Sequence, residues 1–575
     1  MRRKKIRQRP IPAQPHSLPS RLHPVLTRVY LSRGIRHPDE LDRTLAALPP
    51  PWTLTGIDAM SARLAQALER GERLLVVADY DADGATACAL AVTGLRAMGA
   101  RQVDFIVPDR FRLGYGLTPQ LVEQILDRKP QVLVTVDNGI ASLEGVAAAK
   151  AAGLDVLITD HHLPGERLPD ADVIVDPNLP DDSFPSRALA GVGVMFYVLT
   201  ALRTRLRAQD WFQLQGMAEP NLAELLDLVA LGTVADVVPL DEVNRILVHQ
   251  GLERMRAGRA RPGVRALLEV AGRDPEGLVA ADLGFALGPR LNAAGRLEDM
   301  GLGIRCLLSA DLDEARSLAR RLDTLNRERR EIEARMQSDA LEYLQSDEWD
   351  RGASSGVCLF DPAWHEGVIG ILASRIKDRL GLPVIAFAQG EDGYLKGSAR
   401  SIAGLHIRDF LSEIDAIRPG LIVRYGGHAM AAGLTLKSGD FDLFAELFAA
   451  RVKAQLGESA PESVIHTDGP LQVADFSLRL ATELRRGGPW GQGFPEPVFE
   501  GDFELLNARV VGERHLKMSL RPRGGPPLDG IVFGLDDPAK WLGCGALRMA
   551  YQLDINDFRG RRRLQLKAEY LEPIQ

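Results

Sequence analysis

The sequence predicts an α/β protein with a parallel-sheet domain, a long connecting helix, a smaller α/β domain and a C-terminal β-barrel. Three observations carry this prediction. Apolar runs alternate with helical stretches between residues 70 and 180, which is typical of a parallel sheet with helices on both faces. A long amphipathic pattern then extends from Asp311 to about Gln345. Five short apolar runs follow after Pro461, as expected for a small barrel.

Length and composition indicate several domains in a protein of ordinary globular character. The chain has 575 residues, of which 45% are hydrophobic and 26% charged, and a domain usually takes roughly 100–200 residues. A net charge of −7 does not favour nucleic-acid binding, but 70 lysines and arginines are enough for local basic tracks. Four scattered cysteines favour reduced thiols and a cytoplasmic location. The longest apolar run, Leu189–Leu202, is too short to span a bilayer.

The N-terminal part divides into a basic, proline-rich lead with short helices over residues 1–69 and a catalytic domain over residues 70–250. The predicted strands of that domain are Leu74–Ala78, Val103–Val107, Val132–Val136, Asp155–Thr159 and Val173–Val175. Four of them stop at an aspartate: Asp79, Asp137, Asp160 and Asp176. Ligands of open α/β sheets bind beyond the carboxyl ends of strands, so these acids should meet at one edge.

Three acids in five residues, Asp79, Asp81 and Asp83, repel one another unless a cation neutralises them. Taken alone, they are equally compatible with an acidic surface turn. Other acids and histidines are expected to converge on them, namely Asp137, His161, His162 and Asp236. Mixed carboxylate and imidazole ligands suit Mn²⁺ or Mg²⁺.

The set is large enough for two ions, the arrangement used in phosphoester hydrolysis. We assign His161 to the metal and His162 to the scissile phosphate, as a cationic or proton-donating group, because the side chains of adjacent residues diverge. Asp83 and Asp137 are the acids whose loss should abolish hydrolysis.

Residues 251–349 are predicted as a helical connector and residues 350–457 as the second α/β domain. Several of their motifs suit a phosphate. Gly426, Gly427 and His428 precede a predicted helix whose N-terminus would bind an anion, and Ser398 with Arg400 offers a fork. We predict substrate contacts from these residues and from Arg290, Asn292, His365, Arg110 and Tyr115. A tight turn is an equal alternative for each glycine-rich stretch.

Residues 461–575 are predicted to form the barrel, with an oligonucleotide-binding (OB) fold as the leading option by analogy. Asn556–Gly560 is expected to join the last two strands as a hairpin. Arg559, Arg561, Arg562 and Arg563 with Phe558 and Tyr570 combine positive charge with aromatic faces, which favours single-strand binding. A solvated basic hairpin is the alternative.

Asp79–Gly84, Val136–Gly139, Asp160–His162 and Gly232–Asp236 together resemble the successive motifs of the DHH phosphoesterase superfamily. Further motifs resemble its single-stranded-DNA exonucleases over residues 70–575: Pro108–Arg110 with Gly114–Gly116, Leu287–Arg296, Trp364–Gly370 and Arg424–Gly433. In many members a metal-binding histidine stands where this chain has Val77, so Asp79 is expected to supply or orient that ligand.

This resemblance implies a DHH catalytic domain, a connecting helix, a DHH-associated domain and an OB-fold barrel. It also implies 5′→3′ degradation of single-stranded DNA to 5′-mononucleotides with two Mn²⁺ or Mg²⁺ ions, in DNA repair and recombination. The partners it implies are single-stranded DNA, a single-strand-binding protein and a helicase. We expect a monomer, since the amphipathic stripe of the connector is short and imperfect. We also expect no membrane association.

Two other functions remain as alternatives. The first is a DHH-family phosphodiesterase acting on a small substrate, such as pyrophosphate, a cyclic dinucleotide or a short oligonucleotide. The second is a non-catalytic scaffold in DNA replication. The barrel and the connector argue against the first, and the presence of Asp81, Asp83, Asp137, His161 and Asp236 argues against the second.

Overall fold

The computed structural model describes residues 4–110, 112–345, 355–457, 463–558 and 561–574, without the side chain of Phe558. Arg559 and the Phe558 side chain, both predicted as single-strand contacts, lie outside the described residues. The chain divides into two compact units. One comprises Gln8–Asn326 and Thr467–Gln575, and the other comprises Met1–Arg7 and Arg327–His466.

A five-stranded parallel sheet forms the N-terminal domain, as predicted, with the strand order β3-β2-β4-β5-β6. Every residue of β2 is buried, which explains its continuous apolar sequence. The elements up to this sheet's last strand are β1 (Lys5–Gln8), α1 (Pro24–Leu31), α2 (Ile57–Arg70), β2 (Leu74–Ala78), α3 (Ala82–Ala97), β3 (Val103–Ile106), α4 (Pro119–Leu126), β4 (Val132–Val136), α5 (Leu143–Ala151), β5 (Asp155–Thr159) and β6 (Val173–Val175).

Helices follow the sheet without interruption by strands. They are α6 (Gly191–Ala208), α7 (Trp211–Leu214), α8 (Leu226–Ala235), α9 (Glu242–Arg256), α10 (Pro262–Val270), α11 (Ala280–Asp282), a π-helix (Leu283–Leu287), α12 (Gly288–Leu297), α13 (Gly301–Leu308) and α14 (Leu312–Tyr343). The last is the predicted long helix. Its start is capped by Asp311, whose Oδ1 accepts the backbone N–H of Glu314 at 2.8 Å.

The second α/β unit has a five-stranded mixed sheet in the order β10-β11-β9-β8-β7. Its elements are β7 (Val357–Phe360), α15 (Ile369–Leu380), β8 (Val384–Gln389), β9 (Tyr394–Arg400), α16 (Ile407–Ile417), β10 (Ile422–Gly427), β11 (Ala431–Lys437) and α17 (Phe441–Leu456).

The prediction of a helix after Gly426–Gly427–His428 is wrong, because β10 and β11 form an antiparallel hairpin there. Burial alternates along β11, with Ala432, Leu434 and Leu436 facing the core. This two-residue period determines a strand, although small residues also suit a helix.

The C-terminal strands close into the predicted barrel, in the order β13-β14-β15-β17-β16. Its elements, preceded by a strand paired with β1, are β12 (Val464–Thr467), α18 (Leu478–Gly487), β13 (Phe499–Val511), β14 (His515–Pro522), β15 (Leu528–Val532), β16 (Ala546–Phe558) and β17 (Arg561–Pro573). This strand order and the closure agree with an OB fold.

The barrel shares one hydrophobic core with the N-terminal domain. The hydroxyl of Tyr30 in α1 donates to the carbonyl of Gly487, 457 residues away, at 3.0 Å. The Tyr30 ring also contacts Trp490 and Phe494, and buried Arg33 pairs with Asp468 at 2.8 Å. Within the described residues, no helix is long and apolar enough to cross a membrane.

Candidate metal centre

The predicted acids meet at the carboxyl edge of the parallel sheet. Asp79 follows β2, Asp137 follows β4 and Asp160 follows β5, and all three side chains are buried. Asp81 caps the N-terminus of α3, and Asp236 lies at the C-terminus of α8. Strand ends and two helix ends therefore deliver carboxylates to one place.

His161 joins these acids. Its Nε2 lies 3.0 Å from Asp137 Oδ1, 3.6 Å from Asp236 Oδ2 and 4.0 Å from Asp83 Oδ2. Possible ligand atoms lie within 4.8 Å of one another in three groups: Asp79–Asp81–Asp137, Asp83–His161–Asp236 and Asp137–His161–His162. The structure thus brings together all six predicted metal ligands, with Asp137 shared between groups.

Backbone groups orient the central carboxylates. Asp83 accepts the N–H of Gly191 at 2.6 Å and that of Val192 at 3.1 Å, at the N-terminus of α6. Gly232 in α8 leaves room for the Asp83 carboxylate and the Thr86 hydroxyl. A Cβ at Gly232 would lie 2.7 Å from Asp83 Oδ1 and 2.2 Å from Thr86 Oγ1. The sequence motif Gly232–Asp236 therefore combines a close approach with a ligand.

The electrostatics of the cluster favour a cation. Burial and neighbouring carboxylates raise the pKa of Asp79, Asp137 and Asp236 well above their ordinary value. Burial, and then Asp81, raises the pKa of Asp83 to about 7. Bound divalent ions would reverse these shifts. Carboxylate and imidazole donors without a thiolate fit Mn²⁺ or Mg²⁺, so the residues present fit these ions.

His162 lies beside the cluster with a carboxylate partner of its own. Its Nδ1 is 2.7 Å from Asp160 Oδ1, and Asp160 also accepts backbone N–H groups from Ile140 and His161. Burial lowers the pKa of His162, but the hydrogen bond and charge of Asp160, with Asp79, outweigh it and raise the pKa to about 9. The raised pKa favours the protonated form of His162 near neutral pH, and its contact with the scissile phosphate stays a prediction.

Tyr115 and Arg110 lie at the rim of the centre together with Tyr80, which sequence reasoning missed. The Tyr115 hydroxyl donates to the Asp137 carbonyl at 3.2 Å and lies 3.3 Å from His162 Nδ1. The guanidinium of Arg110 sits 4.6 Å from the ring centroid of Tyr80. The only available signal for Tyr80 was its position among the three acids.

Arg290 and Asn292 of α12 make intramolecular contacts. Arg290 is buried and pairs with Asp323 at 2.9 Å, and Asn292 Oδ1 accepts the N–H of Ala82 at 2.8 Å. Their substrate contacts remain predictions.

Within the second α/β unit, Ser398 and Arg400 lie beside the N-terminus of α15. Arg400 Nη1 donates to Ser398 Oγ at 3.1 Å, and a Cβ on Gly370 would lie 2.9 Å from both side chains. Burial lowers the pKa of Arg400. His365, in the loop before α15, accepts the N–H of Gly367 at 3.0 Å. A half-buried arginine and a hydroxyl at a helix N-terminus suit a phosphate.

The glycine-rich motif of this unit belongs to the hairpin of β10 and β11. Gly426 pairs with Gly433 and Gly427 with Ala432, and the N–H of His428 donates to the Ala431 carbonyl at 2.8 Å. Phosphate binding by Gly426, Gly427 and His428 remains a prediction, now without a helix N-terminus.

On the barrel, the predicted stacking role of Tyr570 is wrong, because this side chain is only 4% exposed. A buried ring offers no face to a base. Phe533 is 51% exposed and lies against His515, and neither was predicted as a contact. Arg561, Arg562 and Arg563 are exposed at the start of β17.

The fold and the centre define a metal-dependent phosphoesterase, and family models agree. The DHH family N-terminal domain matches residues 73–233, the DHHA1 domain matches residues 353–454 and the RecJ OB domain matches residues 467–570.

Two curated relatives are named single-stranded-DNA-specific exonuclease RecJ. The Salmonella typhimurium protein is 53% identical over 563 residues and the Escherichia coli protein 53% over 561, each covering 97% of both chains. The crystal structure of RecJ in complex with Mn²⁺ from Thermus thermophilus matches at 33% identity with a TM-score of 0.79, covering 96% of this chain and 76% of that chain. A Mg²⁺ complex of RecJ from the same organism matches at 31% identity with a TM-score of 0.73, covering 96% of this chain and 75% of that chain. The chain therefore belongs to the RecJ family of DHH phosphoesterases.

Proposed function

We propose that this protein is a metal-dependent exonuclease that degrades single-stranded DNA from the 5′ end and releases 5′-mononucleotides. The observation that carries the proposal is the cluster of three metal-ligand groups, in which Asp137 and His161 each belong to two groups. Relatives that are 53% identical over nearly the whole chain and named single-stranded-DNA-specific exonucleases support the substrate.

Asp79, Asp81, Asp83, Asp137, His161 and Asp236 would hold two Mn²⁺ or Mg²⁺ ions. When bound, such ions supply an activated water and neutralise the charge that develops on phosphate. The protein's own residues orient the metal ligands. Gly191 and Val192 orient Asp83 through their N–H groups, so that this carboxylate is fixed before the substrate arrives.

His162 stabilises the scissile phosphate in this proposal. Asp160 fixes the ring through Nδ1 and keeps the imidazole protonated. A cation in a site sheltered from water stabilises developing negative charge more strongly than it would in solution. Tyr115 contacts both His162 and the Asp137 carbonyl, and Arg110, stacked on Tyr80, offers a guanidinium to the DNA backbone.

Further contacts with the strand come from three places. Arg290 and Asn292 lie in the catalytic unit. In the second unit, Ser398 and Arg400 would bind a phosphate, with His365, Gly426, Gly427 and His428 as additional donors. The barrel would guide the strand through Arg561, Arg562 and Arg563, because charge and aromatic faces bind single strands without regard to sequence.

We also propose that the enzyme works as a cytoplasmic monomer in DNA repair and recombination, with a single-strand-binding protein and a helicase as partners. Unpaired cysteines support the cytoplasm, since Cys88, Cys306, Cys358 and Cys544 are all free thiols. The buried face of α14 supports the monomer, because Ala315, Leu322 and Leu325 pack within the same chain.

The test is digestion of single-stranded and duplex DNA, labelled at either end, with Mn²⁺, Mg²⁺ or a chelator. We expect loss of a 5′ label as mononucleotide from single strands only, and no digestion with the chelator. Asp137→Ala should bind DNA but not cleave it, whereas Asp181→Ala, at an exposed site, should behave as wild type. Release from the 3′ end, or preferential hydrolysis of a cyclic dinucleotide, would contradict the proposal.

A further inference from the structure

Helix α12 lies directly against the loop that carries three of the acids. We name Asp79–Gly84 the acidic loop. Asn292 Oδ1 accepts the backbone N–H of Ala82 at 2.8 Å. At Gly295, three residues further along α12, a Cβ would lie 2.0 Å from the Tyr80 carbonyl oxygen. The helix therefore contacts the loop backbone on both sides of Asp81.

Residues 82–84 of the acidic loop form the first turn of α3, so only Asp79, Tyr80 and Asp81 lie outside regular structure. Asp79 Oδ1 accepts the N–H of Tyr80 at 2.7 Å, and Asp81 Oδ1 accepts the N–H of Gly84 at 2.9 Å. Both bonds use carboxylate oxygens of the acids that would also ligate the ions. The N–H of Ala82 is held by a group outside the loop, the Asn292 amide.

Helix α12 is itself firmly anchored. Arg290 pairs with Asp323 of α14 at 2.9 Å and donates to the Ala286 carbonyl at 2.6 Å. Leu291, Ala293 and Ala294 are fully buried. A helix fixed in this way can hold a loop, because packed interiors transmit displacement rather than absorb it.

We infer that Asn292 and Gly295 are positioning residues that press the acidic loop into the geometry needed for metal binding. Asn292 acts through its amide oxygen, and Gly295 acts by the absence of a side chain. This inference rests on the proposed function and assigns to Asn292 a role different from substrate contact. The motif Leu287–Arg296 then supports the metal centre by positioning the acidic loop rather than by contacting the substrate.

Gly295→Ala is the sharpest perturbation. Its Cβ must move the Tyr80 carbonyl by about 1 Å or more, and a misplacement of that size near the chemistry costs roughly 100-fold in rate. Alanine is the better helix former, so loss of helix propensity would not explain a defect. Gly277→Ala is the matched control, because a Cβ at Gly277 has no atom within 4 Å.

Asn292 allows a separate test of the hydrogen bond. Asn292→Ala removes the acceptor for the Ala82 N–H, whereas Asn292→Asp keeps an oxygen at that place. If the Asn292 NH₂ group binds DNA instead, both variants should lose that DNA contact equally, because neither has the NH₂ group. The aspartate variant therefore separates positioning from substrate contact, and Asn292→Ala decides the matter if Gly295→Ala does not fold.

The measurements are Mn²⁺ binding to the full-length protein, followed by loss of the free-ion electron paramagnetic resonance signal, and kcat and KM on a single-stranded oligonucleotide. We expect Gly295→Ala and Asn292→Ala to weaken Mn²⁺ binding at least 10-fold and to lower kcat with KM unchanged. Gly277→Ala should bind Mn²⁺ as tightly as wild type, and Asn292→Asp, which keeps the oxygen, should bind Mn²⁺ more tightly than Asn292→Ala.

Unchanged Mn²⁺ binding in both Gly295→Ala and Asn292→Ala would overturn the inference, and so would a defect confined to KM. If wild type itself fails to bind Mn²⁺ or to digest the oligonucleotide, the proposed function fails as well. If wild type does both and the variants match it, only the positioning role is lost.

Discussion

Replacement of Asp83 by asparagine is expected to stabilise the metal-free protein at alkaline pH while removing metal-dependent cleavage. Asp83 is 1% exposed, and burial and Asp81 raise its pKa to about 7 from an ordinary 3.8. The folded protein therefore holds a proton on this carboxylate that the unfolded chain releases. The stability contributed by Asp83 is fully present below pH 3.8 and is lost as pH rises through 7.

The size of the effect follows from the pKa difference. One pKa unit is worth about 1.4 kcal/mol, so the raised pKa of Asp83 costs the folded state roughly 2 kcal/mol at pH 5 and roughly 4 kcal/mol at pH 8. Asparagine avoids this cost but has one oxygen for the two N–H groups of Gly191 and Val192, and an unmet N–H costs about 1–3 kcal/mol. The second cost does not depend on pH. Relative to wild type, Asp83→Asn should gain roughly 2–3 kcal/mol of stability between pH 5 and pH 8.

Urea denaturation in the presence of EDTA, followed by circular dichroism at both pH values, measures this gain. Asp181→Asn is the control, because Asp181 is exposed, and its stability relative to wild type should not change with pH. A stability difference for Asp83→Asn that is equal at the two pH values would refute the reasoning. Saturating Mn²⁺ should reverse the order and make wild type the more stable protein, because only wild type keeps the full ligand set.

Two further predictions concern the DNA. Tyr80→Leu should raise KM for single-stranded DNA several-fold while Tyr80→Phe stays near wild type, because phenylalanine keeps the aromatic ring that contacts the Arg110 guanidinium; equal KM values in steady-state kinetics would contradict this role. The double variant Arg561→Ala and Arg563→Ala should weaken single-strand binding and reduce the salt slope of log K by about 0.7 for each phosphate that the protein no longer neutralises. In the same titration, Arg548→Ala should leave the slope unchanged because Asp502 already pairs with Arg548 at 2.8 Å.

The sheet and the metal centre could be predicted from sequence because both depend on short-range patterns. The buried strands β2 and β4 have continuous apolar runs, and the aspartates that follow them, Asp79 and Asp137, mark their carboxyl ends. Parallel strands must bring these ends to one edge. The long helix and the closed barrel followed from periodicity in the same way.

The features that sequence reasoning missed depend on contacts between distant segments. Tyr570 has the same residue type whether it is exposed or buried, and nothing in its local sequence indicates that the folded chain buries it. Asn292 lies 210 residues from Ala82, so no local pattern indicates that its oxygen supports the acidic loop. The prediction of a helix after Gly427 was wrong because small residues are compatible with both a helix and a strand. The pairing of this segment with β9 determines that it forms a strand.

The shared core of the N-terminal domain and the barrel has a consequence for synthesis on the ribosome. Tyr30 and Arg33 emerge early, but their partners Gly487 and Asp468 lie 457 and 435 residues later. The catalytic unit therefore cannot complete its packing until the last part of the chain has been translated, with Arg327–His466 made in between. A nascent chain arrested before Asp468 would expose the α1 face that Trp490 and Phe494 cover in the complete protein.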